Sequence, residues 1–366
     1  MPKDASIDYK YTDSVENCVQ MAHEDSVDVL LFTCHHVVAL RPLIENYKIN
    51  SIVWIHNWIR GELIDNIAEC DYVKRAVFLV REHYDRYIDD AVIQKAVFIP
   101  NMFNTEGYLV RNDNLKNVVT YVGAIVPGKG FHVLAKEWKN VLAKVPDAEL
   151  YVLGKGNLYG TKSKFGVLGL AEESYENSFS RFLMDKKGQV LPSVHLMGIM
   201  GSEKSEVYAR TKVGVVNPTG RTEVCPISAL EMEAAGIPVV SKNTNGLPDV
   251  VKNKVTGFLI GNEKTLSKAI IELLNDNLAN NQYSLEARRF VEQKFNPKKI
   301  SKMWFELFKS VANCETVKIQ MPVSNYTNNY KWLRILNFKI KTVLCFKRLP
   351  SIIAIEGKIS KLLRGI

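Results

Sequence analysis

With 366 residues, 46% of them hydrophobic and 24% charged, the chain is long enough for two domains with cores of their own. The net charge of +9 is confined to one end: the 51 residues from Thr316 onward carry ten Lys/Arg against a single acid, Glu356, and the remainder is neutral. One dedicated basic segment on a neutral body argues against a nucleic-acid-binding protein, whose positive charge would be spread over the fold.

The six cysteines (Cys18, Cys34, Cys70, Cys225, Cys314, Cys345) form no C-x-x-C pair. A zinc ribbon or disulfide framework is therefore not expected, and a reduced, cytoplasmic compartment is. The first eleven residues lack the apolar stretch of a signal peptide, and no apolar run reaches the length of a membrane span.

Residues 1–27 read as one helix with a frayed start. Segments 28–33 (DVLLFT), 51–56 (SIVWIH), 75–80 (RAVFLV) and 97–100 (VFIP) are short apolar runs bounded by polar or turn-forming residues, with room for helices between them. That rhythm predicts βαβ units and a parallel sheet. A polar, asparagine-rich stretch over 101–117 reads as a link, after which the rhythm restarts. Strands are expected at 118–122, 149–153, 194–197, 213–216 and 238–241, and a helix over 131–145 ending at Pro146. Residues 156–193 read as an insertion with some helix of its own. The reading is α/β, two Rossmann-like doubly wound domains in tandem: 1–112, 113–311, and a linker and basic amphipathic tail over 312–366.

The sharpest constellation is 220–231, GRTEVCPISALE. Glu223 and Glu231 stand eight positions apart around a helix start at Pro226, where proline is tolerated. A start at Cys225-Pro226-Ile227 leaves unpaired N–H groups and the positive end of the helix dipole facing outward, a site suited to a diphosphate. Glu223 falls in the loop before the helix and Glu231 is expected two turns into it, so one carboxylate can meet sugar hydroxyls and the other a ribose. A second element is 121–130, YVGAIVPGKG: Lys129 lies between Gly128 and Gly130, after a strand and before a helix, where its ammonium can reach a phosphate.

Together these stretches resemble the E-x7-E signature of the family 4 GT-B glycosyltransferases. The trailing EMEAAGIPVVSKNTNGLPDVV is similar to that family's downstream strand and loop. The resemblance covers residues 113–311 and implies a GT-B fold, a retaining and metal-independent glycosyl transfer from a UDP- or GDP-sugar, and no further cofactor. It implies that Glu223 contacts the donor sugar, that Glu231 contacts the ribose, and that Lys129 contacts the diphosphate. The family's arginine in the glycine-rich turn is replaced by Ala124, for which Lys162, Lys164 or Arg221 are substitutes to consider. Gly154 and Gly198 stand where the family's backbone approaches the base, and His56 where family members place a histidine facing the reacting sugar. The first third matches only in outline: the opening strand and glycine-rich loop are missing, so a shortened N-terminal domain is expected. No Asp-x-Asp stands at a strand end, Asp89-Asp90 falling in an apparent helix. The competing functions are a sugar-nucleotide epimerase and a non-catalytic protein that binds a nucleotide sugar or a partner.

In the tail, 330–346 mixes Lys331, Arg334, Lys339 and Lys341 with large apolar residues, and Lys347, Arg348, Lys358, Lys361 and Arg364 follow. An anionic membrane surface is the partner expected for 330–366, holding the protein at the inner face of the membrane beside a glycan or lipid-linked acceptor of bacterial surface polysaccharide synthesis. The alternative is that the segment packs on its own protein.

Overall fold

The computed structural model describes residues 8, 10–112, 116–157, 163–343, 346 and 349–364. Lys162, Leu344, Lys347 and Arg348 lie outside the described residues, as do the side chains of Lys361 and Arg364. In chain order the elements begin with α1 (Val15–Glu24), β1 (Leu30–Thr33), α2 (Val37–Tyr47), β2 (Ser51–Ile55), α3 (Glu62–Glu69), β3 (Val73–Phe78), α4 (Arg81–Asp85) and β4 (Ala96–Phe98). There follow β5 (Val118–Val122), α5 (Phe131–Leu142), β6 (Glu149–Leu153), α6 (Glu173–Glu176), β7 (Val194–Gly198), α7 (Lys204–Arg210), β8 (Val213–Val215), α8 (Ile227–Ala234) and β9 (Val239–Lys242). The chain closes with α9 (Leu247–Val250), β10 (Gly257–Ile260), α10 (Leu266–Asn275), α11 (Asn277–Lys294), α12 (Pro297–Ala312), α13 (Lys331–Val343) and α14 (Ile352–Arg364). These divide into two compact units, one made of residues up to Leu79 with His83–Ile99 and those from Lys302 on, the other of Val80–Glu82 with Pro100–Ser301.

The first unit carries a four-stranded parallel sheet in sequence order, β1-β2-β3-β4. Strands β2 and β3 are buried along most of their length, and Val53, Ile55, Ala76 and Phe78 are fully buried. Helix α1 is narrower than the run expected over 1–27: the Ser14 side chain accepts from the Asn17 N–H at 3.1 Å and sets its start. Asp89 and Asp90 do not lie in a helix. Helix α4 ends at Asp85, and the Asp90 side chain caps the following 3-10 turn. Asp89 instead takes charges and dipoles from the C-terminal helices: its carboxylate accepts from Asn337 Nδ2 at 2.8 Å and from the Ile352 N–H at 2.6 Å, and Lys341 Nζ reaches its backbone carbonyl at 2.7 Å. Buried Lys331 pairs with Asp85 at 2.9 Å, and buried Arg334 lies between Asp89 and Glu356.

The second unit carries a six-stranded parallel sheet in the order β10-β9-β8-β5-β6-β7. The chain winds from β5 through β6 to β7 in one direction, returns to β8 beside β5, and winds outward again to β10. This is the doubly wound Rossmann order, and its reversal lies between β5 and β8, where such sheets open a crevice at the carboxyl ends of the strands. Strand β10 was not among the strands expected from sequence. The core is built on Tyr121, Phe131, Trp138 and Phe179, all fully buried. Phe179 and Leu183 come from the insertion, which therefore folds onto the core. Buried Glu176 holds its loop by accepting from the Leu168, Leu170 and Ala171 N–H groups at 2.6, 2.8 and 3.1 Å.

Candidate functional site

The loop after β5 and the loop after β8 meet at the switch point of the second unit. The first turns tightly through Pro127–Lys129 and Gly130, whose φ of +72° favours glycine and whose Cβ would stand 2.7 Å from Thr219 Cγ2. Glycine at 130 thus lets the two loops touch. The Tyr121 hydroxyl donates to the Lys129 carbonyl at 3.0 Å, and the Thr219 hydroxyl lies 3.0 Å from the Gly128 carbonyl. Lys129 Nζ is thereby delivered to Glu223 Oε1 at 2.5 Å, an ion pair in which the carboxylate side chain is 8% exposed and the ammonium side chain 33%.

Glu223 is fixed from its own loop as well. Asn217 Nδ2 donates to the same oxygen at 2.9 Å and to the Arg221 carbonyl at 2.8 Å, while Asn217 Oδ1 accepts from the Gly220 N–H at 2.9 Å. Asn245 Nδ2 donates to the Gly220 carbonyl at 2.7 Å from the loop after β9. Three consecutive bends of this loop have positive φ, at Asn217, Gly220 and Thr222. A β-branched residue at φ +63° is strained by about 1–2 kcal/mol, and the strain lies next to the carboxylate it presents.

Pro226 is the N-cap of α8, and no side chain caps the helix start. The first-turn N–H groups at Ile227 and Ser228 have no partner within the helix. Desolvation pushes the Cys225 thiol up to about 12, so it stays protonated at neutral pH. Glu231 is the fifth residue of α8, one turn into the helix, where two turns had been expected. Its carboxylate is enclosed: Lys204 Nζ stands 2.6 Å and the Tyr108 hydroxyl 3.4 Å from Oε1, and the Tyr208 hydroxyl 3.1 Å from Oε2. Burial and the Glu231 charge push the Tyr108 phenol up to about 12 and raise that of Tyr208, so both keep their protons and donate.

Gly154 closes β6 against β5: a Cβ there would collide with the Gly123 carbonyl, and its N–H donates to the Gly198 carbonyl at 2.7 Å. These two glycines are therefore neighbours, at the far end of the crevice edge. Of the substitutes considered for the position of Ala124, Lys164 is spent on Glu173 at 3.1 Å with both side chains exposed. Arg221 is exposed in the Glu223 loop and is among the charges that, after burial and Lys136, hold His132 below its usual pKa. His56 belongs to the first unit, just past β2, against the Trp54 ring at 4.2 Å. Burial and then His35 lower its pKa, so it is a neutral imidazole at neutral pH.

Sequence reading missed Asn217, Lys204, Tyr108 and Tyr208. Asn217 had a faint signal, an Asn-Pro-Thr-Gly turn six residues before Glu223. Lys204 and Tyr208 had only their i,i+4 spacing on one helix face, and Tyr108 had none.

Residues 116–276 match the family described as glycosyl transferases group 1. The chain is 30% identical over 209 residues to the capsular polysaccharide biosynthesis glycosyltransferase CapM of Staphylococcus aureus, covering 57% of this chain and 48% of that protein. It thus spans about half the length of that relative. It is 23% identical to the lipopolysaccharide 1,2-N-acetylglucosaminetransferase of Salmonella typhimurium, covering 78% and 73% of the two chains. Among solved structures, Anabaena Alr3699/HepE in complex with UDP superposes with a TM-score of 0.65 at 17% identity, covering 81% of this chain and 82% of that one. TarM of S. aureus, in complex with fondaparinux, α-GlcNAc-glycerol and UDP, superposes with a TM-score of 0.61 at 16% identity, covering 80% and 58%. The switch-point crevice with its Lys129–Glu223 pair therefore lies within the stretch that matches the group 1 glycosyl transferase family, in a chain whose fold is that of GT-B structures.

Proposed function

We propose that the chain transfers a sugar from a UDP- or GDP-linked donor to a glycan or lipid-linked acceptor, with retention of anomeric configuration and without a metal ion. The observation that carries this reading is the convergence of Lys129, Glu223 and the uncapped start of α8 on the switch point of the second unit. An ammonium offers three donors, of which Glu223 takes one, leaving two for the departing diphosphate. The α8 N–H groups add a fixed dipole aimed at the same charge, so negative charge developing on the leaving group is met without solvent reorganisation. Glu223, held by Lys129 and Asn217, is the residue assigned to the donor sugar, and Glu231 to the ribose. Gly154 and Gly198 are assigned to the base, and His56 to the reacting sugar. In this reading 113–311 is the donor domain, 1–112 the acceptor side and 312–366 a tail that touches the inner face of the cytoplasmic membrane.

Support for surface-polysaccharide work comes from relatives whose names place them in capsular and lipopolysaccharide synthesis. Support for peripheral binding comes from α13, where Trp332, Leu336, Lys339 and Val343 are exposed at helical spacing. Among the described residues no helix is long and apolar enough to cross a membrane. The test is mass-spectrometric turnover of a panel of UDP- and GDP-sugars with bacterial lipid and glycan acceptors. A glycosylated acceptor with the donor's anomeric configuration is expected. Absence of product with every donor, together with no calorimetric binding of UDP or GDP, would overturn the reading.

A further inference from the structure

The Glu231 carboxylate is more heavily engaged than a lone ribose-binding acid would be. A carboxylate offers about four acceptor positions, two on each oxygen. Lys204 Nζ and the Tyr108 hydroxyl occupy Oε1, and the Tyr208 hydroxyl occupies one position on Oε2. A single position on Oε2 is left, so Glu231 can accept from one hydroxyl of a vicinal diol and no more. Lys204 has the complementary surplus: one of its three N–H donors goes to Glu231 and its side chain is 26% exposed, against 12% for Glu231. Lys204 opens α7 and Tyr208 stands one turn on, so a single helix face presents both groups to the carboxylate.

Resting on the assignment of Glu231 to the donor ribose, we propose that Lys204 is a second ribose-reading residue: one ribose hydroxyl donates to Glu231 Oε2 and its neighbour accepts from Lys204 Nζ. Tyr108 and Tyr208 are positioning residues that hold the carboxylate so that the two can be read together. The chemical class recognised is an unmodified cis-diol, and a deoxyribonucleotide leaves one of the two partners without its hydrogen bond. Such a loss is where discrimination between otherwise similar ligands is greatest.

The experiment is calorimetric titration of the full chain with UDP and GDP, and then with the 2′-deoxy and 3′-deoxy forms of whichever binds, using wild type, Lys204→Met and Lys204→Gln. Wild type should bind each deoxy form about tenfold more weakly than the ribonucleotide. Lys204→Met should lose about tenfold on the ribonucleotide and on one deoxy form, while leaving affinity for the other, which lacks the hydroxyl Lys204 serves, nearly unchanged. Lys204→Gln keeps a neutral donor and should restore part of the discrimination, and it is read by the same criterion if Lys204→Met does not fold. Equal weakening of all three ligands by the variants, or no weakening, overturns the role of Lys204 while leaving the donor site standing. Failure of wild type to bind UDP or GDP overturns both.

Discussion

Lys129 is the residue on which most of the donor reading turns, because among the described residues its ammonium is the one cation paired with Glu223. Replacing it by alanine removes a charge-assisted contact to phosphate and should weaken UDP or GDP binding by about 1.5–3 kcal/mol, roughly ten- to a hundredfold. Unchanged calorimetric affinity in Lys129→Ala would remove the residue from the site. Glu233, two positions past Glu231, has a different fate. It is fully buried, Oε1 accepts from the Thr256 hydroxyl at 2.6 Å, and Oε2 has no hydrogen-bond partner among the described residues. Burial raises its pKa well above the usual carboxyl value, with the Thr256 bond, Lys294 and Lys252 opposing the shift. A raised folded pKa means that the folded state holds a proton which the unfolded state releases once pH exceeds the ordinary carboxyl value. Stability is then lost as pH rises from there toward the folded pKa. Glu233→Gln keeps the Thr256 bond and carries no titration, so its melting temperature should exceed that of wild type by a margin that widens as pH rises above the ordinary carboxyl range. A margin independent of pH would show that Glu233 is ionised in the fold.

At the scale of elements, α13 divides its cations and its apolar residues between two faces. Of the four cations expected on it, Lys331 and Arg334 are buried against Asp85, Asp89 and Glu356, Lys341 is drawn to the Asp89 carbonyl, and only Lys339 is exposed. Two of the tail's ten cations, Lys331 and Arg334, thus answer carboxylates of their own unit. The opposite face carries Trp332, Leu336 and Val343 into solvent. The two faces make separable predictions. Arg334→Met removes a buried countercharge of Asp89 and Glu356 and should lower unfolding free energy by about 3–5 kcal/mol in denaturant titration. Trp332→Glu with Leu336→Glu alters exposed positions, where substitutions change stability by within about 0.5 kcal/mol each, yet it should abolish salt-sensitive binding to anionic liposomes. Equal liposome binding by the double variant and wild type would return the exposed face to a purely structural role.

For the whole molecule, the strand order of the second unit places two loops side by side that are about 90 residues apart in the chain, and every proposed donor contact there comes from a side chain or a helix terminus. The expected consequence is that transferase activity, once a donor and acceptor are found, survives dialysis against EDTA with its rate unchanged. Loss of activity that only magnesium or manganese restores would show that the diphosphate is neutralised by a metal rather than by Lys129 and α8.

Local features of the chain were sufficient for much of this protein. Continuous apolar runs marked nine of the ten strands found among the described residues, since a strand covered on both faces needs no alternation to be seen. Proline marked the start of α8, and the Gly-Lys-Gly turn and the eight-residue glutamate spacing marked Lys129, Glu223 and Glu231. What required the tertiary structure was the answer to which group meets which. Periodicity orders side chains around a helix but does not say which face turns inward. For α13 that was decided by Asp85 and Asp89, more than 240 residues earlier in the chain. The enclosure of Glu231 likewise draws on Tyr108 and on the Lys204–Tyr208 face of α7, two separate places in the chain. Such contacts are set by packing between elements, and a charge takes its partner from whatever the fold brings within about 3 Å, not from its neighbours in sequence.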